Sequence, residues 1–169
     1  MVKFKKMKTS EEVELFWQKK WEYDEADLFP HLDAEDREYF SGSEYYDAIM
    51  DLHQNTAPEG RTLEFVFFYD ENDIYLGFSM YKIYTNEDGK AIILEFCIDK
   101  PFRNRGLGTT ISQEFEKLLK SEGATYFTLN TSNDDNRRFW QRNGYVADKP
   151  DEWGEMVYVK GDLRMDYST

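Results

Sequence analysis

Three short apolar stretches lie close together in the middle of the chain, and they constrain the fold more than any other feature of the sequence. The stretches cover residues 63–69, 74–84 and 91–98. Turn signals rich in Asp, Asn, Glu and Gly separate them, at residues 70–73 and 86–89. Strands of this length, joined by such turns, predict a three-stranded antiparallel sheet that begins with a hairpin.

The hydrophobic period changes after these strands. Between Gly106 and Gly123 the apolar residues recur at helical spacing, and a glycine is a typical helix end. Residues 126–129 and 156–160 are predicted as strands on either side of a second helix, which ends at Gly144. Strands followed by alternating helices and strands predict an α/β sheet, antiparallel at first and with a right-handed parallel crossover later.

Two helical stretches come before the strands. Thr9 and Ser10, followed by acidic residues, are typical of a helix start, and Asp33 is predicted to open a second stretch that continues beyond Gly42. No repeat, low-complexity tract or Gly/Ser linker divides the sequence. We therefore expect a single domain over residues 1–169.

Cysteine content and hydropathy bear on where the protein resides. Cys97 is the only cysteine among the 169 residues, so no intramolecular disulfide can form and a reducing compartment fits. The N-terminus lacks the apolar run of a signal peptide, and no stretch approaches the roughly 20 apolar residues that cross a bilayer. These features predict a cytoplasmic protein with no membrane partner.

The charge balance restricts the ligands. The chain carries 21 basic and 34 acidic residues, a formal net charge of −13. Such a field repels phosphate backbones, so nucleic acid is not expected as a partner. His31 and His53 are too few and isolated to predict a metal site. Any anionic ligand must therefore be held by a local cluster of main-chain N–H groups and arginines.

One segment offers such a cluster, between the strand that ends near Asp99 and the helix that follows. Its residues are Arg103, Asn104, Arg105, Gly106, Leu107, Gly108 and Thr109. Glycines let a phosphate approach the main chain, the first helical turn has unpaired N–H groups, and the two arginines add charge. The segment fits neither a Walker nor a dinucleotide motif. The alternative is an ordinary crossover turn with two solvated arginines.

A second pattern follows the first. Arg103, Gly106 and Gly108 stand in the order Arg-x-x-Gly-x-Gly between a strand and a helix. The later residues are Asn133, Phe139–Trp140 and Gly144–Tyr145. In this order the two patterns resemble those of the GNAT superfamily of N-acetyltransferases, namely Gln/Arg-x-x-Gly-x-Gly/Ala and then Asn, Phe-Tyr, Gly-Phe. The resemblance is good over residues 94–145.

The resemblance implies a fold and a reaction. The fold is a mixed, mostly antiparallel central sheet flanked by helices, in which a parallel pair splays apart between the strand ending at Asp99 and residues 126–129. Acetyl-CoA would lie in the gap as cosubstrate. Its acetyl group would pass directly to an amine acceptor, which would be a small molecule or a peptide.

The resemblance also implies which residues contact the cosubstrate. Those near the pantetheine arm or the thioester are Phe96, Cys97 and Ile98, through main-chain groups, and Asn133 and Asn136. Residues 103–109 would hold the pyrophosphate. Asn133 is explained equally well as a helix-capping residue.

Glu95 is the candidate proton acceptor. Direct transfer from a thioester needs a neutral amine nitrogen, and Glu95 is the one carboxylate within the apolar run of residues 92–98. Similar enzymes often place a glutamate base in this strand. Alternation puts it on the face of Ile93 and Cys97, where burial would favour a carboxyl that accepts a proton. The alternative is a partly exposed residue paired with a neighbouring lysine.

The general acid is not assigned by the sequence. Trp140 stands where many relatives have a tyrosine acid, and an indole N–H does not deliver a proton at neutral pH. Tyr126 and the thiol of Cys97 are weaker candidates. Tyr145 aligns with a structural aromatic residue of the family and is expected in the core.

An acidic region suggests the type of acceptor. Residues 22–51 contain a single arginine or lysine, Arg37. The acids are Glu22, Asp24, Glu25, Asp27, Asp33, Glu35, Asp36, Glu38, Glu44, Asp47 and Asp51. In family members this region borders the acceptor pocket, where a negative, aromatic-lined rim would favour a polyamine, an aminosugar or a lysine side chain. The alternative is a solvated helical surface.

Three functions follow from these features. The leading hypothesis is an N-acetyltransferase. The second is an acetyl-CoA-binding sensor or regulatory module with weak or no turnover, motivated by Trp140. The third is a protein-interaction domain without a cofactor, against which the intact segment Arg103 to Gly108 argues. The sequence leaves the acceptor and the formation of a homodimer open.

Overall fold

A computed structural model describes residues 1–54, 62–131 and 134–161. These residues form a seven-stranded mixed sheet with the spatial order β1-β2-β3-β4-β5-β7-β6. The strands are β1 Lys3–Lys6, β2 Glu64–Tyr69, β3 Tyr75–Ile83, β4 Lys90–Ile98, β5 Tyr126–Asn130, β6 Val146–Pro150 and β7 Met156–Gly161. Within the described ranges β4 and β5 are the only parallel neighbours. The predicted mixed, mostly antiparallel sheet is confirmed.

Five α-helices flank the sheet in the described part of the chain. They are α1 Ser10–Tyr23, α2 Ala34–Ser41, α3 Ser43–Gln54, α4 Leu107–Ser121 and α5 Asp134–Arg142. A π-helical turn, Asp24–Leu28, extends α1. The predicted start of α1 is confirmed, because the Glu12 N–H donates to Thr9 Oγ1 at 3.1 Å while the Glu12 carboxylate accepts from the Thr9 N–H at 3.0 Å. Asp33 caps α2, as predicted.

The sheet has a core on each face. On one face α4 and α5 pack against the strands through Ile111, Phe115 and Trp140. On the other face α1 and α3 cover the strands, and the Phe16 ring stacks on Phe65 with 4.4 Å between centroids. Each side chain of the central strands therefore points into one of two different environments.

A β-bulge in β4 decides which environment each side chain enters. Met80 of β3 lies opposite Glu95, whereas Tyr81 lies opposite Ile93, so Leu94 is the additional residue. Ile93 belongs to the core beneath α4 and α5, and Cys97 belongs to the core beneath α1 and α3. The prediction that Glu95 shares a face with both was wrong for Ile93, because one extra residue exchanges the two faces of a strand.

The parallel pair separates after a short contact. Pairing between β4 and β5 runs from Lys90 opposite Tyr126 to Ile92 opposite Thr128. β4 continues to Ile98 and β5 to Asn130 with no further pairing between them in the described residues. The end of β4 thus has an open edge, which is the gap that the resemblance implied.

The sequence patterns missed β1 and β6, which form the two edges of the sheet. β1 consists of three lysines and one phenylalanine. Every residue of β6 is exposed, including Pro150 at its end. Charged residues and proline are typical of edge strands because they discourage further strand pairing. Such strands have a weak hydrophobic period.

Candidate functional site

The segment between β4 and α4 forms a turn that leaves the start of α4 open. Asn104 and Gly106 have positive φ angles of 62° and 74°. Gly106 precedes Leu107, the first residue of α4, and no side chain caps the helix. A Cβ added to Gly106 would meet nothing within 4 Å. The first N–H groups of α4 therefore face open space and suit an anion.

Gly108 is small for an additional reason. A Cβ added there would lie 3.1 Å from Cε1 and 3.4 Å from Cζ of Phe139 in α5. The absence of a side chain at Gly108 thus lets α4 and α5 approach each other. This packing role is separate from the expected role of Gly108 beside a phosphate. A larger residue at this position would disturb the packing of the two helices as well as a ligand.

The two arginines of the segment have different environments. Arg103 donates from Nε to the Ile98 carbonyl at 2.8 Å and from Nη2 to Asp27 Oδ2 at 2.8 Å. The hydrogen bond to Asp27 raises the pKa of the Arg103 guanidinium. Arg105 is exposed and makes no ion pair with a described residue. Arg105 is therefore the accessible charge, whereas Arg103 holds the end of β4 to the π-helical turn.

The open edge of β4 contains the three residues expected to contact pantetheine. The Cys97 carbonyl points towards β3, because a Cβ on Gly77 would lie 2.0 Å from its oxygen. The Ile98 carbonyl accepts from Arg103. The main chain of Phe96 is therefore a stronger candidate for a contact through the open edge than the carbonyls of its two successors.

Lys20, Asp24 and Glu95 form a buried charged cluster, here named the α1 cluster. Lys20 and Asp24 are 0% exposed, and the Glu95 side chain is 14% exposed. The Lys20 ammonium lies 2.6 Å from Asp24 Oδ2 and 3.1 Å from Glu95 Oε1. The Cys97 thiol lies 3.7 Å from the other Glu95 oxygen, to which it donates a weak hydrogen bond. The lysine pairing of the alternative interpretation is therefore present.

The α1 cluster raises the pKa values of Asp24, Lys20 and Cys97, for different physical reasons. Burial, together with the charge of Glu95, raises the pKa of Asp24 to about 6, although Lys20 opposes this. Burial alone would lower the pKa of the Lys20 ammonium, but the nearby charges, that of Glu95 foremost, outweigh it and raise the pKa. Burial raises the pKa of the Cys97 thiol, so this thiol stays protonated at neutral pH. Asp24 Oδ1 is buried without a described hydrogen-bond partner.

The sequence analysis missed Lys20 and singled out Asp24 only as part of the acidic region. A signal was present, since Lys20 lies three residues after Trp17 and four after Phe16, on the apolar face of α1. Asp24 follows at the i+4 position, where a carboxylate can reach the ammonium. A lysine on an apolar helix face with a carboxylate one turn later indicates a buried ion pair.

The two weaker candidates for the general acid, Tyr126 and the Cys97 thiol, each donate a hydrogen bond to a carboxylate, and Trp140 lies in the core. Trp140 is buried and packs edge-on against Phe96, with 5.2 Å between centroids. The Tyr126 hydroxyl donates to Asp88 at 2.7 Å, at the end of the sheet where β4 begins. Tyr145 lies in the core, as expected. The acid stays unassigned.

The acidic region contains two kinds of carboxylate. Asp24 and Asp27 turn inwards to Lys20 and Arg103. The other acids of the region are exposed. The solvated surface of the alternative interpretation therefore does not include these two residues, and the acceptor-bordering rim stays a prediction.

The two asparagines expected near the cofactor lie at or before α5. Asn136 is exposed in the first turns of α5. Asn133 lies outside the described residues, as does Ser132. No three His, Cys, Asp or Glu side chains form a group that could hold a metal ion in residues 1–54, 62–131 and 134–161. Among the helices of these ranges, none is long and apolar enough to cross a membrane.

The chain matches a family model and several solved structures. The model of the acetyltransferase (GNAT) family matches residues 14–145. A search of curated proteins finds no match. The PaiA N-acetyltransferase of Thermoplasma acidophilum, solved with coenzyme A, has a TM-score of 0.62 at 20% identity, covering 96% of this chain and 99% of that one.

Two further structures have the same fold. A putative acetyltransferase of the GNAT family from Desulfovibrio desulfuricans has a TM-score of 0.65 at 16% identity, covering 95% of this chain and 99% of that one. Tetrahymena GCN5 has a TM-score of 0.65 at 13% identity, covering 93% and 94%. At these identities the likenesses concern the fold.

Proposed function

The chain belongs to the acetyltransferase (GNAT) family, and from this premise we propose that its acceptor is a cationic amine that reacts beside the splay between β4 and β5. Acetyl-CoA is the cosubstrate and the activity is that of an acyltransferase. The single observation that supports the proposal is Glu95, a largely buried carboxylate on β4 where the pairing with β5 has ended.

The proposed cofactor site follows the open edge of β4 and the start of α4. The main chain of residues 96–98 lies beside the pantetheine arm, and the first N–H groups of α4 hold the pyrophosphate, with Arg105 as the accessible charge. Asn136 is proposed to lie near the pantetheine or the thioester, whereas the contact expected for Asn133 stays a prediction from the sequence. The open space around Gly106 supports this arrangement, because a ligand can approach the main chain there.

The proposed chemistry needs one proton acceptor. When bound, acetyl-CoA supplies the acetyl group as a thioester. A cationic acceptor must first lose a proton, which Glu95 accepts directly or through a water molecule. The amine nitrogen then forms the bond to the carbonyl carbon, the carbon–sulfur bond breaks, and the amine's second proton leaves to water or to the departing thiolate.

The charge around Glu95 favours a cationic acceptor. The α1 cluster contains two carboxylates and one ammonium. Exposed carboxylates follow on α2 and α3. Together they attract an ammonium group and disfavour an anionic acceptor. A homodimer, a cytoplasmic location and a single domain over residues 1–169 stay predictions from the sequence.

A thiol-release assay with an amine panel tests the proposed function. The panel contains a polyamine, an aminosugar and a lysine-containing peptide, each with an N-acetylated or hydroxyl analogue as its matched neutral control. We expect thiol release with at least one cationic amine and none with its neutral analogue. Efficient transfer to a neutral or anionic acceptor contradicts the proposal. Calorimetric binding of CoA without turnover on any amine would instead favour the sensor.

Replacement of Gly106 by alanine tests the cofactor site. The Cβ would enter the open space at the start of α4, so we expect acetyl-CoA affinity to fall by about tenfold. Gly154→Ala is the control, because Gly154 also has a positive φ of 84° and open surroundings. Both changes strain the main chain by about 1 kcal/mol, but only Gly106→Ala should weaken binding in calorimetric titration. Equal affinities in the two variants would contradict the placement.

A further inference from the structure

The π-helical turn Asp24–Leu28 carries two carboxylates that serve two different parts of the site. Asp24 binds the Lys20 ammonium, which also binds Glu95. Asp27, three residues later, binds Arg103. A π turn inserts an extra residue into a helix and is frequent at functional sites. The end of α1 is therefore attached to both the proposed base and the proposed cofactor loop.

The contact at Asp27 fixes the position of more than one side chain. The Arg103 guanidinium uses Nε for the Ile98 carbonyl and Nη2 for Asp27, both at 2.8 Å. Two directed bonds hold a planar guanidinium in one orientation. Ile98 ends β4 and Arg103 begins the loop to α4. The ion pair thus joins the π-helical turn, the end of β4 and the loop.

We propose that the turn Asp24–Leu28 positions both the cofactor loop and the α1 cluster, with Asp27 as the positioning residue for Arg103 and Asp24 as the positioning residue for Glu95 through Lys20. The inference rests on the proposed function, since it assigns the loop to the cofactor and Glu95 to proton transfer. Neither aspartate needs to touch the acetyl group or the amine.

A purely electrostatic role and a positioning role of Asp27 predict opposite changes in cofactor affinity when the Asp27 carboxylate is removed. A carboxylate near the pyrophosphate repels it, so the loss of the charge alone would tighten cofactor binding. If Asp27 positions Arg103, its loss leaves the loop and the end of β4 less ordered, and binding weakens. The sign of the change in affinity therefore decides between the two roles.

Calorimetric titration with CoA shows in four variants whether the affinity rises or falls. We expect Asp27→Asn and Arg103→Gln each to weaken binding by about tenfold, the loss of one charge-assisted hydrogen bond. The double variant should bind no more weakly than Arg103→Gln, because both changes break the same link. Glu25→Gln, an exposed carboxylate in the same turn, is the matched control and should leave CoA affinity unchanged. Tighter binding by Asp27→Asn, or effects that multiply, would overturn the proposal.

Asp24→Asn tests the other end of the turn. We expect kcat to fall by about tenfold while the affinity for CoA changes less than twofold, because Asp24 acts on Glu95 and not on the loop. A general loss of structure would change both quantities and the melting temperature. If Asp24→Asn does not fold, Lys20→Arg tests the same link with the charge retained. An unchanged kcat in a folded variant contradicts this half of the proposal.

The wild-type protein separates the two levels of the argument. If it neither binds CoA nor releases thiol with any amine, the proposed function fails. If it does both and Asp27→Asn does not weaken CoA binding, only the positioning role of Asp27 fails.

Discussion

Two clusters of a lysine with carboxylates lie on opposite faces of the sheet, and they differ in how completely their polar atoms are paired. In the α4 cluster, Glu116 accepts from the Tyr145 hydroxyl at 2.9 Å with one oxygen and from Lys160 at 2.8 Å with the other. One carboxylate therefore balances one ammonium. In the α1 cluster two carboxylates share one ammonium, and Asp24 Oδ1 has no described hydrogen-bond partner.

The difference is consistent with a structural role for Glu116 and with the proposed role of Glu95 in proton transfer. A buried network in which each carboxylate oxygen has a hydrogen-bond partner stabilises one arrangement. A cluster with more carboxylates than ammonium groups has an oxygen that can still accept a proton. Such a surplus is costly in a buried position and is typical of functional sites. The comparison therefore supports the α1 cluster as the reactive one.

The largest expected effect comes from Glu95→Gln, which keeps the shape of the side chain and removes its basicity. We expect kcat to fall by roughly ten- to ten-thousand-fold, with little change in CoA affinity. Glu116→Gln in the α4 cluster is the control and should keep kcat. Steady-state rates at several pH values measure both variants. A near-normal rate for Glu95→Gln would return Glu95 to the structural role of Glu116.

Glu116→Gln should instead destabilise the protein. The amide replaces one charged acceptor oxygen of the α4 cluster by a donor, and either the Tyr145 hydroxyl or the Lys160 ammonium loses its partner. We expect the free energy of unfolding to fall by about 2 kcal/mol, measured by urea denaturation. A stability equal to that of the wild type would show that the pairing in this cluster contributes nothing net.

The stability contributed by Asp24 should depend on pH in the direction opposite to that of a paired surface carboxylate. Its pKa is raised in the folded protein to about 6, above the ordinary value of about 3.9. The folded chain then binds the proton more tightly than the unfolded chain, so this contribution to stability rises as pH falls from about 6 to about 4.

Urea denaturation across this pH range measures the contribution. We expect the free energy of unfolding of Asp24→Asn to lack this rise at low pH. The stability of the variant relative to the wild type should therefore be greatest at pH 7. Glu12 provides the contrast, because hydrogen bonds from the Thr9 and Lys8 main chain lower its pKa to about 2. The contribution of Glu12 is present above about pH 4.3 and is lost as pH falls towards 2. A wild type and Asp24→Asn variant with parallel profiles would contradict the assignment.

The smallest expected effect concerns the exposed acids of α2. If they add to the attraction that the α1 cluster exerts on a cationic acceptor, the double change Glu35→Gln and Glu38→Gln should raise the acceptor's Michaelis constant by about twofold and weaken its salt dependence. Saturating acetyl-CoA removes the salt effect on the cofactor. The double change Glu71→Gln and Glu87→Gln, equally exposed, is the control. Identical salt responses would show that the α2 acids are a solvated surface.

Much of the fold could be predicted because its signals are local. The capping residue Thr9, the period of the central strands and the helix after Gly106 each depend on neighbours within a few residues. The proposed cofactor segment could be recognised for the same reason, since its glycines, its arginines and the start of α4 are contiguous. The edge strands β1 and β6 were not predicted because none of their residues is buried, so the sequence has no clear hydrophobic period there.

The sequence by itself determined the helices, the central strands, their order and the segment proposed to face the cosubstrate, because hydrophobic period, caps and turn residues act over one or two turns of chain. Only the tertiary structure decided the partners of Glu95 and Arg103. The bulge at Leu94 determines the face of the sheet on which Glu95 lies. Asp27 lies 76 residues from Arg103, and the folding of α1 onto β4 is what brings such pairs together. Contacts between residues so far apart produce no local sequence pattern, since they depend on how the helices and strands pack together.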